Sequence, residues 1–460
     1  MVSHIALFRR CLHAAARPLR RGHCPSVCRG SAASRHVRDC GSMTGMSELF
    51  VGSEVGPLRQ VIVHRPGTEL LRLTPETKHD LLFDDLLWVR RAQEEHDQFS
   101  AALEAAGAEV LHLDVLLRET LAMAQARDFV LDHTFDERLY GPAAAPLLRE
   151  VASTLDDAAL AELVIGGLTK RELLELTDEP RSIVLHSMGP DDLVVAPLPN
   201  HLFARDASCW VYDGVAVNSM QKPARMREAV TYEATYRWHP RFADVPFRRW
   251  SDGLTDGQAT VEGGDVLVLG HGAVLIGMSE RTTPQGVERI AKRLFAAGSA
   301  DRVVTLDLPK ARSFMHLDTV MTMVDERSFI EYAGLGDLVS YTITPRGGTG
   351  GSPGDVELNI AHHEPGQAHR AIADALGLHG LRILTAEQDL HSAAREQWDD
   401  GCNALAVAPG AVITYDRTPT SNAFLRESGV EVIEVPGAEL GRGRGGPRCM
   451  SCPTLRDPLM

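Results

Sequence analysis

From residue 47 onward the chain alternates between two apolar rhythms. Short β-rich runs give way to stretches whose apolar residues recur at three and four. "PLRQVIVHRPG" (57–67) is one β-rich run. "CWVYDGVAVNSM" (209–220) is two runs around Asp213-Gly214, a hairpin signal. "DVLVLGHGAVLIGM" (265–278), "TVMTMVDERSFIEY" (319–332) and "ALAVAPGAVITYD" (404–416) repeat the pattern around Gly270-His271-Gly272, Asp325-Glu326-Arg327 and Pro409-Gly410. A helical stretch follows each: "DLLWVRRAQEEHDQFSAALEAAG", "PARMREAVTYEATYRW", "PQGVERIAKRLFAAG", "GQAHRAIADALG" and "TSNAFLRESG". Each helix then hands over to another strand: "AEVLHLD", "FRRW", "RVVTLDL", "LRILTA" and "VEVIEV".

The unit therefore reads strand–strand–helix–strand, five times, with no literal identity between copies. Repetition of small sheets predicts radial closure, as in propellers; an ordinary mixed α/β sheet is the alternative. One interruption, about 115–190, is rich in Ala, Leu and Glu at helical spacing. It predicts a compact helical insert that caps the strand body.

Polar residues take recurrent places on this frame. Asp206 precedes the second hairpin, Glu262 and Asp265 the third, His316 and Asp318 the fourth, and Asp399 and Asp400 the fifth. In a closed ring these positions converge at one end. Asp265 is placed with them, facing the ligand. Arg225, Arg281 and Arg417 follow the hairpins. Carboxylates in the middle with guanidiniums at the margin suit a ligand that is cationic at one end and anionic at the other. Free arginine fits: its planar guanidinium accepts paired carboxylates, and its α-carboxylate suits arginine forks.

Composition narrows the classes. Hydrophobic content of 44% and charge of 24% belong to a globular, soluble body. A balance of 47 basic against 62 acidic residues, −15, argues against nucleic acid as partner. No apolar run is long enough to span a bilayer, so no membrane partner is expected. Cys209, Cys402, Cys449 and Cys452 serve the body, too few for a disulfide scaffold. "CMSC" (449–452) lacks a second cysteine pair, so neither metal nor other cofactor is expected. Residues 1–45 carry eight arginines against one acid, Asp39. They are read as sequence upstream of a later start, Met43 or Met46, rather than as a transit peptide. A cytoplasmic body, 46–460, is the expectation.

Several stretches, among them "SEVGPLRQVIVHRPG", "LLFDDLLWV", "PNHLFARD", "EGGDV", "GMSERTT", "FMHLDTV", "EQWDDG" and "GRGRGGPRCMSCP", span all five units. In them the chain from about Ser47 to Met460 resembles the arginine deiminases, of the guanidino-group-modifying (pentein) superfamily. The resemblance implies a five-bladed pseudo-symmetric α/β propeller with an inserted helical subdomain. It implies hydrolysis of L-arginine to L-citrulline and ammonia without cofactor, as the first step of arginine catabolism, in a homo-oligomer (dimer or tetramer). A sibling amidinotransferase is the alternative. Carried over by motif, Cys449 is the nucleophile and His316 the general acid/base. Asp206 and Asp318 clasp the guanidinium, and Glu262 supports them. Asn200, Arg225 and Arg281 hold the α-amino acid end, and Arg444 closes over the substrate. Leu82 and Phe203 line the pocket, and Gly443 offers a backbone contact. Arg442 and Arg448 have no assigned role and are read as solvated.

Chemistry adds one expectation. A thiol surrounded by carboxylates is held protonated, and a cationic substrate beside it favours ionisation. Cys449 is therefore expected to be a thiol in the empty site.

Overall fold

Every predicted hairpin is present, and each is extended by a parallel strand that returns after a helix. The computed structural model describes residues 49–178 and 181–459; the reading of residues 1–45 lies outside them. In the second unit Ser208–Val211 pairs antiparallel with Gly214–Val217, which pairs parallel with Arg248–Asp252 after the helix Glu228–Trp238. The third repeats this with Val266–Gly270, Ala273–Met278 and Arg302–Asp307. The fourth uses Met321–Met323, Ser328–Glu331 and Arg382–Leu384. The fifth uses Leu405–Ala408, Ala411–Tyr415 and Glu431–Val435. The fold is mixed α/β.

Local chemistry accounts for these elements. The third unit's helix, Pro284–Ala297, starts with a Thr283 side chain accepting from the Gly286 N–H and with proline in its first turn. It buries Val287, Ile290, Ala291 and Leu294 along one face and stops at Gly298, left-handed at φ 73°.

The first unit departs from the pattern. Leu58–Val63 pairs parallel with Glu109–His112 after the helix Val89–Ala105. Its antiparallel partner is Cys452–Arg456, from the other end of the chain. The sequence reading saw one local run there, because the missing half of the hairpin is almost 400 residues away (|i−j| of 394 between Gln60 and Thr454).

A second hairpin escaped the sequence reading. Ser340–Arg346 and Glu357–His363 flank a glycine-rich turn and extend the third sheet to five strands. The insert is helical as predicted but begins earlier, at Leu113–Leu121. It continues through Ala124–Thr134, Glu137–Ser153, Asp157–Gly166, Lys170–Leu176 and Ile183–His186, with a small pair of strands, Leu168–Thr169 and Leu193–Val195. Its core, built on Leu121, Val130, Leu148 and Leu160, closes against Val230 and Ala234 of the second unit's helix, while Leu113 and Leu116 of its first helix pack with the strand residues Ile62, Trp210 and Val215. No helix among the described residues is long and apolar enough to cross a membrane.

One regularity positions the site. Each sheet's first strand is preceded by a tight turn: Ala204–Ala207, Gly263–Asp265 and Leu317–Thr319 in units two to four. Residues 399–403 do this before the fifth sheet, and residues 449–451 before Cys452–Arg456. The C-terminal cysteine motif thus takes, for the first unit, the place that acids and a histidine take in the others.

Candidate active site

Cys449 is buried, 3% exposed, in the turn before the last strand. Asn403, from the corresponding turn of the fifth unit, holds it on both sides. The Asn403 Oδ1 accepts from the backbone N–H groups of Arg448 (3.0 Å) and Cys449 (3.1 Å), and its Nδ2 donates to the Cys449 Sγ at 3.1 Å. The Sγ lies 3.5 Å from the Asp318 Oδ2. Burial pushes the thiol well above its usual range, and the Asp318, Asp206 and Asp400 carboxylates push it further against the pull of Arg448. The thiol is the stable form, as expected from sequence.

The expectation that Arg448 is solvated is wrong. It is 1% exposed, and its guanidinium donates to the Glu54 Oε2 (3.1 Å), the Asp318 Oδ2 (2.8 Å) and the Val266 carbonyl (2.7 Å). The reason is charge. Asp318 and Glu54 are buried carboxylates, and the basic residue beside the cysteine turns inward to neutralise them. Burial alone would raise the Glu54 carboxyl, but Arg448 and Arg205 bring it down to about 2. Arg442 behaves as read: half-exposed and paired with Asp85 and Glu439.

Across from the thiol stand His316, Glu262 and Asp206. The His316 Nε2 is 2.8 Å from the Glu262 Oε2 and its Nδ1 3.6 Å from the Asp206 Oδ1. Burial lowers the imidazole, but Asp206 and Glu262 more than reverse this and raise it to about 9. His316 is an imidazolium at neutral pH. Burial disfavours the Glu262 carboxylate too, yet Arg281 and His316 hold it ionised well below the usual range. The ring approaches the backbone closely. A Cβ at Gly264 would sit 2.7 Å from the His316 Cγ and 2.9 Å from the Asp206 Oδ1. Only glycine leaves room for that ring and carboxylate to meet.

Asp206, Glu262 and His316 present atoms close enough to ligate an ion. Arg225 and Arg281 already supply positive charge to the same oxygens, at 2.6 Å from Asp206 and 3.3 Å from Glu262. An ion there would meet both guanidiniums as like charges.

The arginines divide into engaged and free. Arg225 donates through Nε to Glu228, through Nη1 to Asp206, and through Nη2 to Glu228 and the carbonyls of Asn200 and Phe203. Its nitrogens are all occupied within the protein, which the sequence reading did not foresee. Arg281 has one hydrogen bond from its side chain, to Glu262, and its Nε is buried without a hydrogen-bond partner, 3.9 Å from the Glu280 Oε1. Arg444 lies 3.6 Å over the Trp398 ring and donates Nη1 to the Trp398 carbonyl, while Nε and Nη2 are buried without partners. Arg417, expected at the margin, pairs with Asp399.

A cavity joins these groups. Leu82, Asn200, Phe203, Asp206, Arg225, Arg281, His316, Gly443, Arg444 and Cys449 all line it, with Arg312 and Met315. Its volume is about 10 Å³, room for about one water. Asp318 and Glu262 stand directly behind it through Cys449 and His316. Asp265, expected to face the ligand, does not line it. Its oxygens accept from the Leu317 N–H (2.8 Å) and the Ser279 hydroxyl (2.6 Å), so it fixes the turn that carries His316.

The family follows from a separate comparison. Residues 79–456 match the family described as arginine deiminase. The chain belongs to the arginine deiminase family. It is thereby an enzyme of the superfamily acting on guanidino groups. Solved structures match the chain at low identity, and one of those described next shares the fold at a TM-score above 0.5. SxtG, an amidinotransferase from Microseira wollei in the saxitoxin biosynthetic pathway, matches at 13% identity and TM-score 0.52, over 89% of this chain and 98% of that one. Dimethylarginine dimethylaminohydrolase from Pseudomonas aeruginosa, complexed with citrulline, matches at 14% and 0.47, over 86% and 99%. ArgZ, an arginine dihydrolase from Cyanobacteria, matches at 13% and 0.47 over 87% of this chain; the chain spans 40% of ArgZ.

Sequence reasoning missed Asn403, Arg448, Glu54 and Gly264. The signal for Asn403 is its place at the end of "EQWDDGCN", in the fifth turn, beside two acids of more obvious charge. Arg448 carried a weaker signal, its place beside the cysteine. Nothing in the sequence couples Glu54 to residues 318 and 448.

Two outcomes follow from this packing. Gly264→Ala displaces the His316 ring and is expected to lower kcat by about a hundredfold, or ~2.7 kcal/mol, with little loss of Tm; steady-state kinetics and a thermal melt measure both. Arg448→Gln strands two buried carboxylates and is expected to cost about 3–5 kcal/mol in urea unfolding. The Glu54 contribution also fixes a sign. It is present above the ordinary carboxyl value of 4.5 and lost as pH falls through 2. Arg448→Gln should therefore flatten the acid limb of stability against pH.

Proposed function

We propose that the protein hydrolyses L-arginine to L-citrulline and ammonia through an S-alkylthiouronium intermediate on Cys449. The observation that carries this reading is a thiol and an imidazolium held by separate carboxylates around one cavity, with unpartnered arginine nitrogens at its wall. A guanidinium carbon is a poor electrophile because resonance spreads its charge. Its substitution needs a sulfur nucleophile and a nitrogen that leaves protonated.

The charges assign the order of proton movements. His316 is already protonated, so it cannot take the thiol proton. The nearest acceptor is the Asp318 Oδ2, 3.5 Å from the Sγ. Arginine binding places a guanidinium between Asp206 and Asp318 and favours the thiolate. The Sγ attacks the guanidinium carbon, the C–N bond breaks, and His316 gives its proton to the departing nitrogen, which leaves as ammonia. Neutral His316 then takes a proton from water. The hydroxide adds to the thiouronium carbon, the C–S bond breaks, the adduct's hydroxyl proton passes to the departing thiolate to restore the thiol, the proton taken by Asp318 is given up to solvent, and citrulline leaves.

The free nitrogens of Arg281 and Arg444 make these two the best partners for the α-carboxylate, with Asn200 and the Gly443 backbone beside them. Arg225 must share or release Asp206 for the substrate to reach that oxygen. A cavity of about 10 Å³ requires the surrounding loops to shift as arginine enters. The five sheets read best as blades of a pseudo-symmetric propeller, supported by a first sheet that joins both ends of the chain.

The deciding assay is citrulline formation from L-arginine in the presence of a chelator. Activity should persist with chelator and vanish in Cys449→Ala, which should still bind arginine; ornithine in place of citrulline would overturn the hydrolytic reading. Thiolate absorbance is expected to be low in the free enzyme at neutral pH and to rise with a non-reactive arginine analogue. A mostly ionised thiol without ligand would contradict the assigned proton order.

A further inference from the structure

Asn403 enters the site from the fifth unit, just ahead of the strand Leu405–Ala408, and is 1% exposed. Its Oδ1 is committed twice, to the backbone N–H groups of Arg448 and Cys449. That fixes which end of the amide is oxygen. The Nδ2 then points the other way, and its two hydrogens find two acceptors: the Asp318 carbonyl at 3.0 Å and the Cys449 Sγ at 3.1 Å. The amide has no room to turn. The Asn403 N–H is bonded to the Asp400 carbonyl at 2.9 Å, and a Cβ at Gly446 would fall 2.7 Å from the Asn403 Cβ and Oδ1.

The sulfur is therefore met by two groups of opposite sense. The Asp318 Oδ2, at 3.5 Å, accepts, and takes up the S–H. The Asn403 Nδ2 donates, and can meet only a sulfur lone pair. The charged groups facing the sulfur are Asp318, Asp206 and Asp400, which oppose a thiolate, and Arg448, which favours one. Tyr415 lies near, its hydroxyl engaged with the Gly445 carbonyl and the Met450 sulfur. The Arg448 guanidinium is taken up by Glu54, Asp318 and the Val266 carbonyl. Among the described residues, Asn403 is the donor that touches the sulfur itself.

We propose that Asn403 is a catalytic residue: its Nδ2–H donates to the Cys449 sulfur and stabilises the negative charge that forms there, first as the thiol ionises and again as the C–S bond breaks. The N–H bond stays intact throughout. The thiol's proton goes to Asp318, and the adduct's hydroxyl proton later restores the thiol. A hydrogen bond to an ionised acceptor is about twice as strong as one to a neutral acceptor. The contact is thus worth more in the thiolate than in the resting thiol, which is the condition for speeding a reaction. The timing rests on the reading of Cys449 as nucleophile; the hydrogen bond to its sulfur does not.

Two variants separate donating from bracing. Asn403→Asp keeps an oxygen for the Arg448 and Cys449 N–H groups, which hold its carboxylate ionised, but sets an acceptor against the sulfur. Asn403→Ser loses both contacts. In the full-length protein without ligand, alkylation of Cys449 by iodoacetamide is followed across pH by mass spectrometry of its peptide. Below the thiol's titration the rate follows the thiolate fraction. Both variants are expected to react about tenfold more slowly than wild type, the loss of about one hydrogen bond to a charged group. An amide that only braces the turn gives wild-type rates in Asn403→Asp and a faster, loosened thiol in Asn403→Ser. A rate at or above wild type in either variant would overturn the proposal, whatever the enzyme's substrate. With L-arginine, Asn403→Asp is expected to lower kcat about a hundredfold with KM within about twofold. Wild-type kcat, or a loss carried by KM, would overturn the role in turnover. Failure of the wild type itself to turn over L-arginine would sink the substrate reading alone.

Discussion

The pairing of Arg448 with Asp318 and Glu54 is the constraint on which the rest depends. An active site for a guanidinium must gather carboxylates, and gathered carboxylates in a dry interior repel one another. Arg448 bridges two of them, Arg225 binds Asp206 and Glu228, and Arg281 with His316 holds Glu262. The protein's own cations occupy much of the charge that a substrate would use. Among the described residues around the cavity, one Asp318 oxygen, both Asp400 oxygens, one Arg281 nitrogen and two Arg444 nitrogens lack hydrogen-bond partners.

This arrangement explains why the thiol and the imidazole both hold a proton. Cys449 and His316 sit in the same field of negative charge. That field raises both, so the thiol keeps its proton and the imidazole gains one. On the proposed mechanism, a cation arriving between the carboxylates relieves the field at the sulfur, which ties reactivity to the charge of the ligand.

Much of the fold was legible, because local rules govern it. Hairpin turns, a threonine cap before Pro284 and a glycine stop at Gly298 all act within a few residues. The acids before each hairpin were legible for the same reason. What escaped was set by distance or by charge. Cys452–Arg456 completes the first sheet from the far end, and Arg448 is turned inward by acids remote in sequence, at |i−j| of 394 and 130 from it. Asp265 looked like a site acid by its position, yet its oxygens are engaged by Ser279 and Leu317. The glycines of "GRGRGGPRCMSCP" carry no local sign of what they pack against. Their packing is specific: a Cβ on Gly443 or Gly445 would fall 2.7 or 2.3 Å from the Phe203 ring.

The shared first sheet bears on how the chain is made. Leu58–Val63 is synthesised long before Cys452–Arg456, the strand it must lie beside. Until that strand arrives, the first sheet has an open edge, and such edges invite wrong pairings. Cys449, the proposed nucleophile, arrives with the same segment, just ahead of the strand. On the ribosome, then, the acids and histidine of the middle units can be gathered while the thiol is still missing. On the proposed mechanism, chemical competence and completion of the first sheet come in a single late step.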